Sequence, residues 1–486
     1  MKKILLLFAA LILALFIVLL INTFSLSSQQ ISVDPIIPLT IEDQSLERLS
    51  QAIRISTISY EESIKNDTSA FNQLHEFLQN SYPLVHATLE RETVTGYSLL
   101  YKWKGTDPGL FPKILLAHMD VVPIEEATKD KWKHEPFSGL IDEHYIWGRG
   151  ALDNKSGVVG IMEAVELLLS EGFQPEADLY LAFGHDEETG GTGAIQMAAL
   201  LKNRNITADF ILDEGGIISD GIIPNLQELV ALVGTAEKGY VSLELTVNWE
   251  GGHSSMPDQE TSIEILSKAI INLRENQFPV SYTTPVRDLL QTIGPHMAFF
   301  QRMVLANLWL FKPAVTQNYE RSASGNASIR TTTAPTIFQS GVKDNVLPVE
   351  AAAVVNFRIL PGETSEDVIA HSRKIINDDR VSIRKTSFVN EPSAISPTDT
   401  PGFMAIKTSV KQIYGNIIVS PYLVIGATDS RHYKDVSENI YRFLPVGLTP
   451  DDLKLIHGVN ERVSIENFKN SIRFYYQLVK NLNTTM

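Results

Sequence analysis

The chain has 486 residues, 44% of them hydrophobic and 20% charged, with no cysteine and a net charge of −16 at pH 7. That apolar content suits a folded chain of several domains and excludes wholesale disorder. The acidic balance argues against nucleic acid as a partner, because a binder must neutralise phosphates with Lys and Arg. The missing cysteines exclude disulfides, thiolate zinc sites, iron–sulfur clusters and a thiol nucleophile, so any metal must be held by His, Asp and Glu.

After Met1-Lys2-Lys3, residues 4–21 form an unbroken apolar run. As a helix it would be about 27 Å long, close to the roughly 30 Å hydrocarbon core of a bilayer. Residues 1–25 therefore read as a single-pass membrane anchor, with Lys2 and Lys3 on the cytoplasmic side and the rest of the chain beyond the membrane. A cleaved signal segment, which would leave the protein secreted, is the competing reading; residues 22–28 offer it only a poor small-x-small site. Residues 26–44, in a stretch rich in Ser, Gln, Ile and Pro, read as a stalk.

From 45 to 236 the pattern is α/β. Apolar runs at 114–117, 179–183 and 210–212 read as buried strands, with a helix over 157–170 between the first two, and together they predict a mostly parallel central sheet. Near 237 the pattern changes. Alternating strands at 240–247 and 351–359, with helical periodicity over 262–274 and 365–377, predict a small α+β lid domain inserted over 237–390. Residues 280–335 are less regular, with apolar stretches such as Leu305-Ala306-Asn307-Leu308-Trp309-Leu310-Phe311. Residues 391–486 return to the first domain and end in a helix over 464–482.

In open α/β sheets functional residues collect in loops beyond the carboxyl ends of strands. Such positions carry His118-Met119-Asp120, Asp186-Glu187-Glu188 and Asp213-Glu214; Asp153 precedes a helix, and His457 lies near the chain end. Carboxylates gathered in one crevice repel one another unless cations neutralise them. Two histidines among oxygen ligands point to zinc, with manganese or cobalt as alternatives. Five ligand positions exceed the needs of one catalytic zinc and suit two metals sharing a carboxylate.

These residues resemble a known family, the two-zinc exopeptidases and amidohydrolases that include carboxypeptidase S, glutamate carboxypeptidase, the aminoacylases and succinyl-diaminopimelate desuccinylase. The resemblance rests on an ordered set: His-x-Asp at 118–120, Gly-Arg-Gly-x-x-Asp-x-Lys at 148–155, Glu187-Glu188 with Gly191, a strand-end acid at 213, Gly-Gly-His-Ser-Ser at 251–255, Asn-Val-x-Pro at 345–348 and His-Gly-x-Asn-Glu at 457–461. The apolar N-terminus and the Leu-Asp-Glu-Gly-Gly form of the fourth motif look most like the carboxypeptidase S branch, which includes enzymes acting on N-acyl amino acids.

The resemblance implies two zincs per subunit. His118 and Asp213 would hold one, Glu188 and His457 the other, and Asp153 would bridge them, followed by a cis peptide. Glu214 is the alternative to Asp213, which is preferred as the first acid after the strand. Asp120 would orient His118. Glu187 would be the general base, taking a proton from the attacking water and passing it to the leaving nitrogen. His253 would reach towards the oxyanion from a partner subunit, which implies a homodimer through the inserted domain. Asn345, Arg358 and Arg431 would bind substrate, the arginines its free carboxylate. The implied activity is cleavage of an amide in a carboxylate-bearing peptide or N-acyl amino acid. A membrane receptor or scaffold that keeps the fold without catalysis is the alternative of another class.

Overall fold

The apolar runs that centre the sequence have no polar face, so each must be covered on both sides. In the computed structural model, which describes residues 1–61 and 67–483, they form the strands Lys113–His118, Leu179–Gly184 and Phe210–Asp213. These pair in parallel, and Ile440–Arg442 continues the parallel set beside Phe210–Asp213. Ser98–Trp103 and Glu90–Val94 extend one side antiparallel, while Val230–Glu237 and its parallel neighbour Ile418–Val424 close the other. The sheet is mixed and mostly parallel at its centre.

Alternation along the strands divides their side chains between two helical layers. Leu115, Ala117, Leu181 and Phe183 pack under the helices Lys155–Ser170 and Ile465–Asn483. Ile114, Leu116, Tyr180 and Ala182 face Ala194, Met197, Ala198 and Leu201 of the helix Thr192–Asn203. A second sheet, ordered 332–340, 350–359, 239–248, 381–390, is antiparallel throughout and has its own core. Val241, Leu243, Leu245 and Val247 point to one face, onto the helices Ser262–Glu275 and Ser365–Ile376. Both helices begin with reciprocal caps, Thr261 with Glu264 and Thr364 with Asp367.

Two expectations need correction. The sequence pattern puts 280–335 within the lid, but most of it leaves the lid and covers the edge strand of the main sheet. Val286, Leu290 and Ile293, at helical spacing on Thr284–Ile293, pack on Ala236, Leu423, Val230 and Ile418. The physical reason is that Ile418–Val424 is an edge strand with an apolar face, which needs a cover. The segment 26–44 is no free stalk either. The Gln30 side-chain amide donates to Val419 O at 3.0 Å and accepts from Val419 N at 2.9 Å, pairing that strand's open edge. Lys407 Nζ donates to Gln29 O at 2.8 Å, and Arg473 Nε to Leu39 O at 2.9 Å.

The covering role of the helix Thr284–Ile293 has a measurable consequence. Leu290→Ala should cost about 2–5 kcal/mol, the usual range for emptying such a position. Amide exchange should rise in the strand Ile418–Val424 and stay unchanged in the lid strand Gly239–Asn248.

Candidate metal centre

The parallel strands deliver their acids and imidazoles to one rim. His118 ends the strand Lys113–His118, Glu187 and Glu188 form a single 3-10 turn after Leu179–Gly184, and Glu214 follows Phe210–Asp213. Asp153 stands before the helix Lys155–Ser170, across the cis Asp153–Asn154 peptide that the resemblance implies. His457 comes from the loop ahead of the strand Arg462–Ser464.

Asp153 is shared. Its Oδ1 lies 2.8 Å from His118 Nε2, and its Oδ2 lies 3.0 Å from His457 Nε2. Glu214 Oε1 approaches the same His118 nitrogen at 3.3 Å, and Glu188 Oε2 the same His457 nitrogen at 3.1 Å. The result is two groups, His118–Asp153–Glu214 and Asp153–Glu188–His457, with the donor atoms of each within 4.8 Å of one another. Corners of a tetrahedron with arms of about 2.0–2.1 Å are about 3.3 Å apart, so each group has the dimensions of a zinc site. Glu188 Oε1 is buried without a hydrogen-bond partner, a cost that a bound cation removes.

The electrostatics agree. Burial and the charge of Asp153 push Glu188 up to about 7. Burial and Asp153 also raise Glu214, and burial with Asp429 and Glu188 raises Glu187 well above its ordinary range, against the pull of His118. Hydrogen bonds with Asp153 and Glu188 push His457 up to about 11. Carboxyl groups raised in this way are ones that a bound cation would return to their charged form.

Asp213 takes no part in either group, contrary to the sequence expectation. It is the last residue of its strand, and successive side chains there point to opposite faces. Asp213 Oδ2 accepts from the backbone N–H of Ser430 at 2.7 Å, beneath the site, while Glu214 turns towards His118. Asn154 Nδ2 donates to the other Glu214 oxygen. Asp186, first in its run of three acids, is also structural: it accepts the N–H groups of Thr192 and Gly193, both at 2.9 Å, at the start of the next helix.

The residues behind the groups fix their positions. Asp120 is fully buried. Its Oδ1 lies 3.2 Å from His118 Nδ1, and its two oxygens accept the N–H groups of Glu187 and Glu188, each at 3.2 Å. Ser59 Oγ donates to Asp120 at 2.5 Å. One carboxylate thus sets the tautomer of a histidine and the place of two neighbouring acids. Glu461 does the same for Asp153, a role the sequence did not disclose. Its Oε1 accepts from the N–H groups of Gly150, Leu152 and Asp153 at 2.9, 2.8 and 3.2 Å. Its Oε2 accepts from Arg149 at 2.5 Å, and Arg149 also donates to His457 O at 3.1 Å.

The expected substrate residues divide. Arg431 lies 3.5 Å from Glu187, at the rim of the metal groups. Arg358, on the lid strand Glu350–Ile359, stacks over Tyr240 at 4.9 Å. Burial lowers its pKa, Tyr240 opposes that, and the nearby charge of Arg431 lowers it further. His253 and Asn345 are elsewhere, on an exposed corner of the lid where Ser254 N donates to Asn345 O at 3.3 Å. His253 Nδ1 accepts from Ser255 N at 3.1 Å. Among the hydrogen bonds and ion pairs of the described residues, none joins His253 or Asn345 to the metal groups.

Glu461→Gln is expected to leave the buried Arg149 charge unpaired. Stability should fall by about 3–5 kcal/mol, as for other broken buried pairs, and metal should be held less tightly. Denaturant midpoints and metal retention on dialysis check both.

The model of "Peptidase family M20/M25/M40" matches residues 114–481. The chain is 41% identical to a probable carboxypeptidase S-like 2 of Dictyostelium discoideum, over 97% of this chain and 92% of that protein. It is 41% identical to the N-fatty-acyl-amino acid synthase/hydrolase PM20D1 of Xenopus tropicalis, over 91% of this chain and 86% of that protein. A crystal structure of an M20 family metallo-carboxypeptidase, Sso-CP2 from Sulfolobus solfataricus, shares the fold with a TM-score of 0.67 at 18% identity, over 91% of this chain and all of that one. Together with the ordered acids and histidines at the sheet rim, these matches establish that the chain belongs to the M20/M25/M40 peptidase family and is an enzyme of its carboxypeptidase S-like branch.

Proposed function

We propose that this chain is a membrane-anchored hydrolase that cleaves the amide bond of N-acyl amino acids or of peptides with a free terminal carboxylate, with two zinc ions per subunit. The observation that carries this reading is the sharing of Asp153 between two histidine-containing groups, with Glu187 beside them but in neither. His118, Asp153 and Glu214 would hold one ion, and Asp153, Glu188 and His457 the other; manganese or cobalt would suit the same donors. Bound there, the metals supply Lewis acidity to the scissile carbonyl and to the attacking water.

The chain's own groups do the rest. Glu187, its backbone tied to Asp120, accepts the proton that water loses as its oxygen bonds to the carbonyl carbon. It then gives that proton to the amide nitrogen as the C–N bond breaks, releasing amine and carboxylic acid. Arg431, 3.5 Å from Glu187, and Arg358 on the lid strand would bind the substrate carboxylate, the guanidinium fork donating two parallel hydrogen bonds. His253 and Asn345 on the exposed lid corner fit a role at the site of a second copy, in a homodimer joined through the lid. The names of the relatives, N-fatty-acyl-amino acid synthase/hydrolase and carboxypeptidase S-like, support the substrate class.

The helix Lys2–Ser25 supports the anchor: among the described residues it alone is long and apolar enough to cross a membrane. Lys2 and Lys3 would keep its start cytoplasmic and put the catalytic domain on the far side.

Glu187→Gln should lower turnover of an N-acyl amino acid by about 10²–10⁴-fold, the range for a lost general base, with metal content unchanged. Full activity would remove Glu187 from its role. Glu214→Gln should reduce the metal bound per subunit, whereas Asp213→Asn should retain both ions, read by elemental analysis of the purified protein. The reverse pattern would restore Asp213 as the ligand.

A further inference from the structure

The anchor helix does not leave the domain on a tether. Its last turns are packed against the helical segment that covers the edge strand. Leu19 and Thr23 are buried. Asn307, buried completely at the junction of the helices Phe299–Ala306 and Leu308–Glu320, ties the two together. Its Oδ1 accepts from Asn22 Nδ2 at 2.8 Å, and its Nδ2 donates to Leu19 O at 3.1 Å and to Met303 O at 2.8 Å. Arg302 donates to Leu26 O, and the rings of Phe24 and Phe299 lie 6.1 Å apart.

These contacts fix a level. If residues 4–21 fill a hydrocarbon core of roughly 30 Å, then Leu19, Asn22 and Phe24 stand at its outer boundary. Whatever touches them stands there too. Beside these contacts the two helices expose Phe299 and Phe300, whose rings pack on each other and, through Phe299, on Phe24, and Trp309 and Leu310, which follow Asn307 in the chain; Phe300 is 74%, Trp309 62% and Phe24 69% accessible. Large aromatic side chains are costly in water and are favoured where acyl chains meet headgroups. On the helix Leu308–Glu320, Pro313 and Ala314 continue the exposed face one turn beyond Trp309 and Leu310. An apolar face against a partner of another kind would have no reason to line up with the exit point of a membrane helix.

We infer that the face made by Phe24, Phe299, Phe300, Trp309 and Leu310 is seated in the headgroup–acyl boundary of the membrane that the N-terminal helix crosses, so that the domain lies on the lipid in one fixed orientation. The inference rests on the anchored reading above and goes beyond it. An anchor alone leaves the domain free to swing, whereas this face makes a second attachment along the edge of the main sheet. The strand Glu90–Val94, at the opposite end of the sheet order, is then directed away from the lipid.

The chain has no cysteine, so single labels report cleanly. Phe300→Cys, Trp309→Cys, Leu11→Cys and Lys202→Cys are each labelled with an environment-sensitive nitrobenzoxadiazole dye in the full chain. The proteins are reconstituted into phosphatidylcholine vesicles with and without doxyl-labelled phosphatidylcholine. Lys202 is exposed on the helix Thr192–Asn203, which packs on the strands at the opposite end of the sheet order from the edge that the N-terminal helix adjoins. The expected result is blue-shifted emission strongly quenched by doxyl lipid at positions 300 and 309, as at position 11, with none at 202. Quenching at 11 but not at 300 and 309, with iodide quenching them from water, would overturn the inference and leave the anchor intact. Blue-shifted dye at 300 and 309 that ignores doxyl lipid and reverts on dilution would assign the face to a second copy and overturn it as well. No lipid quenching at 11 would overturn both the anchor and the inference.

Discussion

Both oxygens of one carboxylate are committed in this enzyme. Asp153 gives Oδ1 to His118 and Oδ2 to His457, and nearly every other feature of the rim follows from keeping it there. Its backbone is held by Glu461, whose charge is met by Arg149, and Arg149 reaches on to the carbonyl of His457. The loop carrying the shared acid and the loop carrying the second histidine are thereby locked to each other. On the other side Asp120 locks His118 to Glu187 and Glu188. The two groups of acids and imidazoles are thus positioned by two buried carboxylates outside them, the kind of support that holds metal ligands in place.

Much of this was legible in the sequence, for identifiable reasons. A buried parallel strand must be a short apolar run, and whatever polar residue ends it stands at the rim, so His118, Glu188 and the acids at 213–214 could be located before any coordinates. The ordered motifs then pointed to the family. Where two acids follow each other the sequence stops deciding. In Asp213-Glu214 the second acid faces the histidine, and in Asp186-Glu187-Glu188 the first is a helix cap. The choice depends on the strand's final twist and on what lies beneath it, here the N–H of Ser430, contributed from more than two hundred residues later. Glu461 stood within a recognised motif, yet its partners are backbone groups of a distant loop, which composition and spacing do not reveal.

The segment between the lid strands was illegible for a different reason. Its apolar residues have helical spacing but serve two surfaces at once, the edge strand Ile418–Val424 on one side and the end of the N-terminal helix on the other. Periodicity reports that a face is apolar; it does not say what covers it. The same holds for residues 26–44, where polar composition suggested a free linker and Gln30 instead completes the hydrogen bonding of an edge strand. The N-terminal helix, residues 26–44 and the helical cover are therefore joined by contacts along one edge of the main sheet.

The central claim is that two cations flank Asp153, one between His118 and Glu214 and one between Glu188 and His457. Anomalous diffraction at the zinc absorption edge, from crystals of the purified full chain, tests it most directly. The account predicts two peaks about 3.5–4 Å apart on either side of the Asp153 carboxylate. A single peak, or a pair in which Asp213 replaces Glu214 or Asp153 stands apart from both ions, would contradict it.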